Sequence, residues 1–169
     1  MLVGWTERLA LEPLAQAHAE GLVAALGHAE VARHLPAPDV TTVEALRERI
    51  AHLQRDAPAG EVWLNFAVRR RVGGDVIGRI EATRHRDWAE VAYLVGPAYQ
   101  RRGYATEAVG WLVERLAASG AGEVWASVQP ANAASRALLA RLGFVEGEPG
   151  ARPLGSYDPG DVVFVRGAG

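Results

Sequence analysis

The chain has 169 residues, of which 49% are hydrophobic, and a formal net charge of −2, so residues 1–169 are expected to form one folded domain. The sequence contains no cysteine and no lysine, which excludes disulfides, thiolate metal sites, a cysteinyl intermediate and Schiff-base chemistry. Without a surplus of positive charge we expect no direct nucleic-acid binding. Without a long apolar run or a signal peptide we expect a cytoplasmic protein and no membrane contact.

The first part of the chain predicts a strand, three helices and an antiparallel meander. Breaks fall at residues that interrupt regular structure, such as Pro13, Gly27 and Gly73. Thr42 is a predicted N-cap, because its hydroxyl can accept a hydrogen bond from an amide of the first helical turn. Alternation and helical spacing predict a strand over 8–12, helices over 14–26, 30–34 and 43–55, and strands over 61–70, 76–83 and 90–95.

The second part of the chain alternates helices with strands. An apolar stripe from Ala105 to Leu116 predicts a helix between the strand over 90–95 and another over 123–128. A helical crossover favours parallel pairing of these two strands. The remaining predictions are a helix over 133–142, a strand beginning at 144–146, a loop over 147–160 rich in glycine and proline, and a strand over 162–165.

The turn between the strand over 90–95 and the following helix is a candidate anion site. It contains Arg101, Arg102 and Gly103, so backbone N–H groups at a helix start are combined with two guanidinium groups. The alternative is an ordinary turn with two solvated arginines. A phosphate-binding loop of the G-x-x-x-x-G-K-[ST] kind is excluded because the chain has no lysine, and no G-x-G-x-x-G follows a strand.

Two motifs resemble signatures of one enzyme family, the GNAT N-acetyltransferases. Residues 100–105 are similar to the acyl-CoA signature (Gln/Arg)-x-x-Gly-x-(Gly/Ala). Residues 132–135 and 142–144 are similar to a second signature, Asn-x-x-Ser followed by Leu-Gly-Phe. Residues 6–14 and 29–35 resemble the RimJ/RimL type, whose members acetylate the N-termini of ribosomal proteins.

The resemblance implies a fold and a binding mode for acetyl-CoA. No pair of histidines and carboxylates has metal-binding spacing, so we expect no metal. The expected α/β (α+β) GNAT fold is a mixed, largely antiparallel sheet of about seven strands flanked by helices. Its two central parallel strands, 90–95 and 123–128, would splay apart around the cofactor arm. The pantetheine would pair with one strand, the pyrophosphate would lie on the helix-start amides, and Asn132 would hold the arm. The implied cofactor-binding residues are Tyr93, Leu94, Val95, Gln100, Arg101, Arg102, Gly103, Tyr104, Ala105, Thr106, Asn132 and Ser135.

The family reaction, direct attack of an amine on a thioester, assigns candidate catalytic residues. Many members carry a tyrosine seven residues after the signature asparagine as the acid for the leaving thiolate, but this chain has Leu139 there. Ser135 is then the predicted proton donor, against the alternative of a helix-surface hydroxyl. The predicted bases are Glu81 and Glu90, ranked ahead of His85 and Asp87 because strands position a group more rigidly than loops.

Other residues and the acceptor receive broader expectations. We expect Trp63 and Trp125 in the core, Trp88 in the acceptor pocket, and His34 and His52 at the surface. The acceptor is expected to be an amine, either a protein N-terminus or a small molecule such as an antibiotic, and a homodimer is compatible with the family. The alternative from another class is a non-catalytic acyl-CoA-binding or sensory module.

Overall fold

An eight-stranded sheet is the frame of the protein in the computed structural model, which describes residues 2–33 and 41–167. The strands in chain order are β1 (Gly4–Trp5), β2 (Leu9–Pro13), β3 (Val62–Arg70), β4 (Val76–Arg84), β5 (Trp88–Val95), β6 (Glu123–Val128), β7 (Val145–Glu146) and β8 (Val162–Gly167). They lie in the order β1-β2-β3-β4-β5-β6-β8-β7. The first five are therefore sequential antiparallel neighbours, and the helical crossover comes between β5 and β6.

Helices cover both faces of this sheet. They are α1 (Ala19–Leu26), α2 (Ala29–Ala32), α3 (Val43–Leu53), α4 (Tyr104–Ala118) and α5 (Ala133–Arg141), with 3₁₀ turns at Gln16–His18 and Pro97–Tyr99. One core lies between α4, α5 and the sheet and contains Phe66, Ile80 and Leu112. A second core lies between α1, α3 and the opposite face and contains Leu22 and Ile50. Within the described ranges, no helix is both long and apolar enough to cross a bilayer.

The pairing of β5 with β6 is parallel and short. It joins Trp88–Glu90 to Glu123–Trp125, and no further pair between the two strands is recorded among the described residues. Each strand nevertheless continues, to Val95 and Val128 respectively, and is paired along its outer edge with β4 or β8. The two strands therefore separate after their first three residues, which confirms the predicted gap.

The predicted fold class is confirmed, with differences at element ends. The sheet has eight strands instead of about seven, because β1 has only two residues and too little sequence to alternate. The first helix begins at Ala19, after a 3₁₀ turn, instead of at residue 14. Thr42 is the predicted N-cap of α3, and its hydroxyl accepts from the Ala45 N–H at 3.1 Å. His34 lies outside the described residues.

The contact of β4 with β5 depends on Gly78. A Cβ at this position would lie 2.1 Å from the Leu94 carbonyl oxygen and 3.0 Å from the Val95 Cα. Both contacts are backbone atoms of the strand that borders the gap, so no side-chain rotation can relieve them. The absence of a side chain at Gly78 therefore allows β5 to lie this close to β4.

We predict that Gly78→Ala lowers the free energy of unfolding by about 2–3 kcal/mol, because β5 must shift to make room for the methyl group. Gly110→Ala in α4 is the matched control, since its Cβ would meet only the Leu142 Cδ2, at 3.4 Å. There we expect a gain of up to about 1 kcal/mol from helix propensity. Urea denaturation of both variants checks this, and equal stability of the two would contradict it.

Candidate active site

The inner edge of β5 borders the gap. The outer edge of β5 is paired with β4 from Arg84 to Gly78, and the inner edge beyond Glu90 has no strand partner among the described residues. The predicted cofactor residues Tyr93, Leu94 and Val95 lie on this segment. Unpaired main-chain groups of a strand edge can bind an extended ligand as an added strand.

A cleft of about 600 Å³ opens from the gap toward α3. Its lining includes Tyr93, Leu94, Asn132 and Ser135 of the predicted set, together with side chains from β3, β4 and the loop before β8. The cleft thus extends from the gap to the space between β3, β4 and the loop before β8. A second molecule in that space could contact a ligand bound along β5. That volume lies within the range of ordinary small-molecule sites.

The turn before α4 has the backbone form of an anion site. Arg101 adopts a φ of 61° and Gly103 a φ of 79°, both left-handed, and the N-cap Gly103 provides no side-chain cap. The first amide of α4 with a recorded backbone acceptor is that of Glu107, which donates to the Gly103 carbonyl at 3.0 Å. A non-glycine residue in this conformation is strained, and such strain concentrates at binding sites.

The other predicted turn residues support this geometry. Gln100 donates from its side-chain amide to the Val95 carbonyl at 3.2 Å, which ties the turn to the end of β5. The two guanidinium groups of Arg101 and Arg102 are exposed, as an arginine that meets a phosphate from solvent would be. Tyr104, Ala105 and Thr106 form the first turn of α4, where helix amides point outward along the axis. The turn therefore presents helix-start amides and two exposed guanidinium groups at one place, which is the chemistry that a phosphate group requires.

Ser135 is paired with Tyr93 across the mouth of the gap. The phenol oxygen of Tyr93 and the Ser135 Oγ are 2.5 Å apart. Burial raises the pKa of Tyr93 to about 12, and the hydrogen bond to Ser135 offsets only part of this effect. Tyr93 was predicted only through its backbone, and its hydroxyl role was missed because β5 and α5 are 42 positions apart at this contact.

The asparagine of the second signature is a helix cap. The Asn132 Oδ1 accepts from the Ser135 N–H at 3.2 Å, so Asn132 fixes the backbone that carries the Ser135 hydroxyl. Leu139, at the position where many family members have a tyrosine, is fully buried in the core that α4 and α5 share with the sheet. No proton donor is provided at that position.

Glu81 lies in the cleft between two arginines. Its carboxylate is 3.2 Å from the Arg49 Nη2 and 3.5 Å from the Arg79 Nη1. The side chain of Glu81 is 26% exposed, whereas that of Arg79 is 7% exposed. Glu81 thus neutralises a buried guanidinium while one side remains open to the cleft.

Glu90 holds the loop before β8. Its carboxylate accepts from the N–H of Gly155 at 2.8 Å, from the N–H of Ser156 at 2.9 Å, and from the Ser156 hydroxyl. Only 7% of Glu90 is exposed. These bonds engage both carboxylate oxygens, and they favour an anchoring role over the predicted role as base.

The tryptophan expectations need two corrections. Trp88 is buried with Trp125 beside the sheet and is absent from the cleft lining, because it begins β5 instead of lying in a loop. Trp63 lines the cleft and donates from Nε1 to Glu61 at 2.9 Å, because its position in β3 faces the open side. The core position of Trp125 is confirmed.

The histidines and Asp87 divide between the cleft and the surface. His52 is exposed, as expected, and also lines the cleft. His85 lines the cleft with its ring stacked 3.9 Å from Trp88. Asp87 lies outside the lining and is 3.9 Å from Arg152. In residues 2–33 and 41–167, no three His, Asp or Glu side chains are grouped to hold a metal ion.

The split sheet has an open strand edge, and a turn with left-handed residues and exposed helix-start amides lies at the end of that edge, an arrangement suited to an extended, phosphate-bearing ligand. The family model of the acetyltransferase (GNAT) domain matches residues 8–145. The chain therefore belongs to the GNAT acetyltransferase family and is an acyltransferase that uses acetyl-CoA. A comparison with curated protein sequences finds no match.

Solved structures with the same fold include acetyltransferases with different acceptors. The ribosomal-protein-S5-alanine acetyltransferase from Vibrio fischeri has 17% identity and a TM-score of 0.79, with 99% of this chain and 97% of that chain covered. The ribosomal L7/L12 α-N-protein acetyltransferase RimL, in complex with coenzyme A, has 18% identity and a TM-score of 0.79, with 98% of each covered. The microcin C7 self-immunity acetyltransferase, in complex with acetyl-CoA and AMP, has 17% identity and a TM-score of 0.77, with 96% and 93% covered.

We predict that Glu90→Gln speeds amide hydrogen exchange at Gly155 and Ser156 by roughly ten- to a hundredfold. Glutamine offers one acceptor oxygen where glutamate offers two, and each bond to a charged group contributes about 1.5–3 kcal/mol. Mass-spectrometric exchange on peptides that cover the loop measures this.

Glu61→Gln is the control, because Glu61 lines the same cleft but is bonded to Trp63. Its exchange at residues 155–156 should match the unchanged protein. If Glu90→Gln abolished turnover while exchange stayed constant, Glu90 would be the base and not the anchor.

Proposed function

We propose that this protein acetylates a primary amine by direct attack on acetyl-CoA, and that a protein N-terminal α-amine is the first acceptor to test. The observation that carries the proposal is the gap after Glu90, with the Tyr93–Ser135 pair at its mouth. The gap supports a path for the thioester arm along β5. The pair supports a proton source on the opposite wall.

In the proposed reaction the neutral amine attacks the acetyl carbonyl carbon, and a backbone N–H of Tyr93, Leu94 or Val95 stabilises the oxygen that becomes negative. The carbon–sulfur bond then breaks, the acetyl group stays on the nitrogen, and the CoA thiolate takes a proton from the Ser135 hydroxyl, which recovers a proton from solvent water. The amine proton leaves to a base through water. Asn132 keeps α5 capped so that Ser135 remains in place.

Tyr93 supports Ser135 in this proposal. Because the pKa of Tyr93 is raised to about 12, its phenol keeps its proton throughout the neutral range. A phenol that donates to the Ser135 Oγ leaves the serine's own proton free to point at another acceptor. The pair then acts as an oriented donor, in a site where Leu139 offers none.

The base is proposed among the carboxylates already predicted. Glu81 faces the cleft, and Glu90 is engaged by the loop, so Glu81 is the better placed of the two. An α-amine has an ordinary pKa of about 7.7–8.0, so a large share is already neutral near pH 8 and a weak base acting through water is sufficient. A lysine side chain, at about 10.4, would need a stronger one.

Two acceptor classes are supported by similar proteins. Two of the solved relatives are named for ribosomal proteins, and a third is named for self-immunity against a microcin. We place a protein N-terminus first because an α-amine is largely neutral near pH 8 and needs only a weak base. A small amine or antibiotic is second, and it is supported by the loop before β8, which forms one wall of the cleft. A cytoplasmic location and a homodimer stay predictions.

An acceptor screen is the primary test of the function. We expect thiol release from acetyl-CoA with peptides that carry a free α-amine, and little release with N-blocked peptides that contain lysine. Polyamines and aminoglycosides complete the panel. Release with small amines alone would replace the first acceptor class by the second, and CoA binding with no release on any amine would favour a non-catalytic acyl-CoA-binding module.

We predict that Ser135→Ala lowers kcat by roughly 10²–10⁴-fold, the usual contribution of a general acid, with KM for acetyl-CoA within about threefold. Tyr93→Phe should lower kcat less, by about tenfold, with the same factor across pH 7–9 because the phenol does not ionise there. The double variant should resemble Ser135→Ala, since the two hydroxyls act as one unit. Additive losses would show that Tyr93 acts separately, and steady-state kinetics with a thermal melt of each variant measures this.

A further inference from the structure

The segment before β2 is bonded to the first turn of α4. The Thr6 hydroxyl donates to the Glu107 carboxylate at 2.6 Å, and the Arg8 N–H donates to the same oxygen at 2.8 Å. The Arg8 Nε donates to the other oxygen at 2.7 Å, which makes Glu107 the acceptor of three bonds. These residues are about a hundred positions apart in the chain, so the contact is a tertiary one. It places the segment before β2 next to the anion turn.

Arg8 also fixes the backbone of the anion turn. Its Nη1 donates to the Arg102 carbonyl at 2.8 Å. The peptide between Arg102 and Gly103 is trans, so the Gly103 N–H points away from that carbonyl. Holding the carbonyl toward Arg8 therefore directs the Gly103 N–H the opposite way within the peptide plane, away from Arg8. An inverted peptide would present an oxygen lone pair where a phosphate needs a donor.

Arg8 further removes a charge that opposes anion binding. Glu107 lies in the first turn of α4, where its negative charge competes with a phosphate for the helix N-terminus. Burial works against its ionisation, but the hydrogen bonds from Thr6 and Arg8 outweigh burial and lower the pKa of Glu107. The carboxylate is therefore ionised, and the Arg8 guanidinium balances it. The Tyr104 ring, 4.5 Å from the guanidinium carbon, holds the guanidinium from another side.

We propose that Arg8 is a positioning residue for the diphosphate subsite: through the Arg102 carbonyl and Glu107 it aims the Gly103 amide at the phosphate and neutralises the adjacent carboxylate. The inference rests on the proposed function, in which the diphosphate of acetyl-CoA binds at this turn. It gives the N-terminal Thr6–Arg8 segment a function in the site, although the segment lies outside the cleft lining.

The test compares CoA with S-acetylpantetheine, which has the thioester arm and lacks the diphosphate. By calorimetry we expect Arg8→Ala to weaken CoA binding roughly tenfold or more, the scale of one charge-assisted hydrogen bond, and to leave S-acetylpantetheine binding within about twofold. In kinetics KM for acetyl-CoA should rise in step while kcat at saturation is kept. Arg8→Lys should also lose CoA affinity, because an ammonium cannot hold a carbonyl and a carboxylate in one plane.

Arg166→Ala is the matched control, because Arg166 also pairs with a glutamate of α4, Glu114 at 2.9 Å, in the other half of the helix. It should leave CoA binding unchanged. If Arg8→Ala is poorly folded, Arg8→Lys and the ¹⁵N shift of the Gly103 amide on CoA addition decide instead. That shift should be large in the unchanged protein and reduced in Arg8→Lys.

Three outcomes overturn the proposal, and they differ in what else they affect. If the Arg8 variants bind CoA as tightly as Arg166→Ala, the role of Arg8 is overturned and the proposed function is unaffected. Equal losses for CoA and S-acetylpantetheine show a general distortion and overturn it as well. An unchanged protein that binds neither ligand overturns the proposed function itself.

Discussion

The site depends on the separation of β5 and β6 after only three paired residues. Each strand is fully paired on its outer side, β5 with β4 and β6 with β8, so neither can move to close the gap without breaking a ladder. At the fork, Glu90 directs its carboxylate into the loop before β8. The inner edges are left with main-chain groups that need partners, and in a folded protein such groups are bonded to a ligand or to water. The gap is thus a consequence of sheet pairing, and a ligand bound in it would provide hydrogen-bond partners for the inner strand edges.

The anion turn shows how a strained backbone is kept in place. Arg101 at a positive φ is unfavourable by about 1–3 kcal/mol, and strain of this kind persists only where surrounding contacts over-determine the conformation. Those contacts come from both directions along the chain. Gln100 ties the turn to the end of β5, and Arg8 ties its centre to the segment before β2. The turn is therefore preorganised before any phosphate arrives, and binding does not need to order it.

The sequence predicted the secondary-structure elements more fully than the side-chain contacts of the candidate site. Periodicity is a local signal, so β6 and the helix that begins near Ala105 were placed to within a residue or two. The hydrogen bonds of Tyr93 with Ser135 and of Glu90 with Gly155 join segments 42 and 65 positions apart, and no local pattern encodes them. Trp88 was misplaced for a related reason, because a strand that begins with a buried tryptophan beside polar residues resembles a loop when read alone.

The two carboxylates ranked equally from sequence separate once their partners are known. Both lie on strands that lead to the cleft, yet Glu90 is satisfied by three donors of a loop, while Glu81 pairs with the buried Arg79 and the partly exposed Arg49 and keeps an open side. The bonds of Glu90 also affect the shape of the cleft. The loop that Glu90 holds provides Pro153, Gly155, Ser156, Asp158 and Asp161 to the cleft lining. Glu90, at the fork of the sheet, thereby fixes one wall of the cleft relative to the gap between β5 and β6.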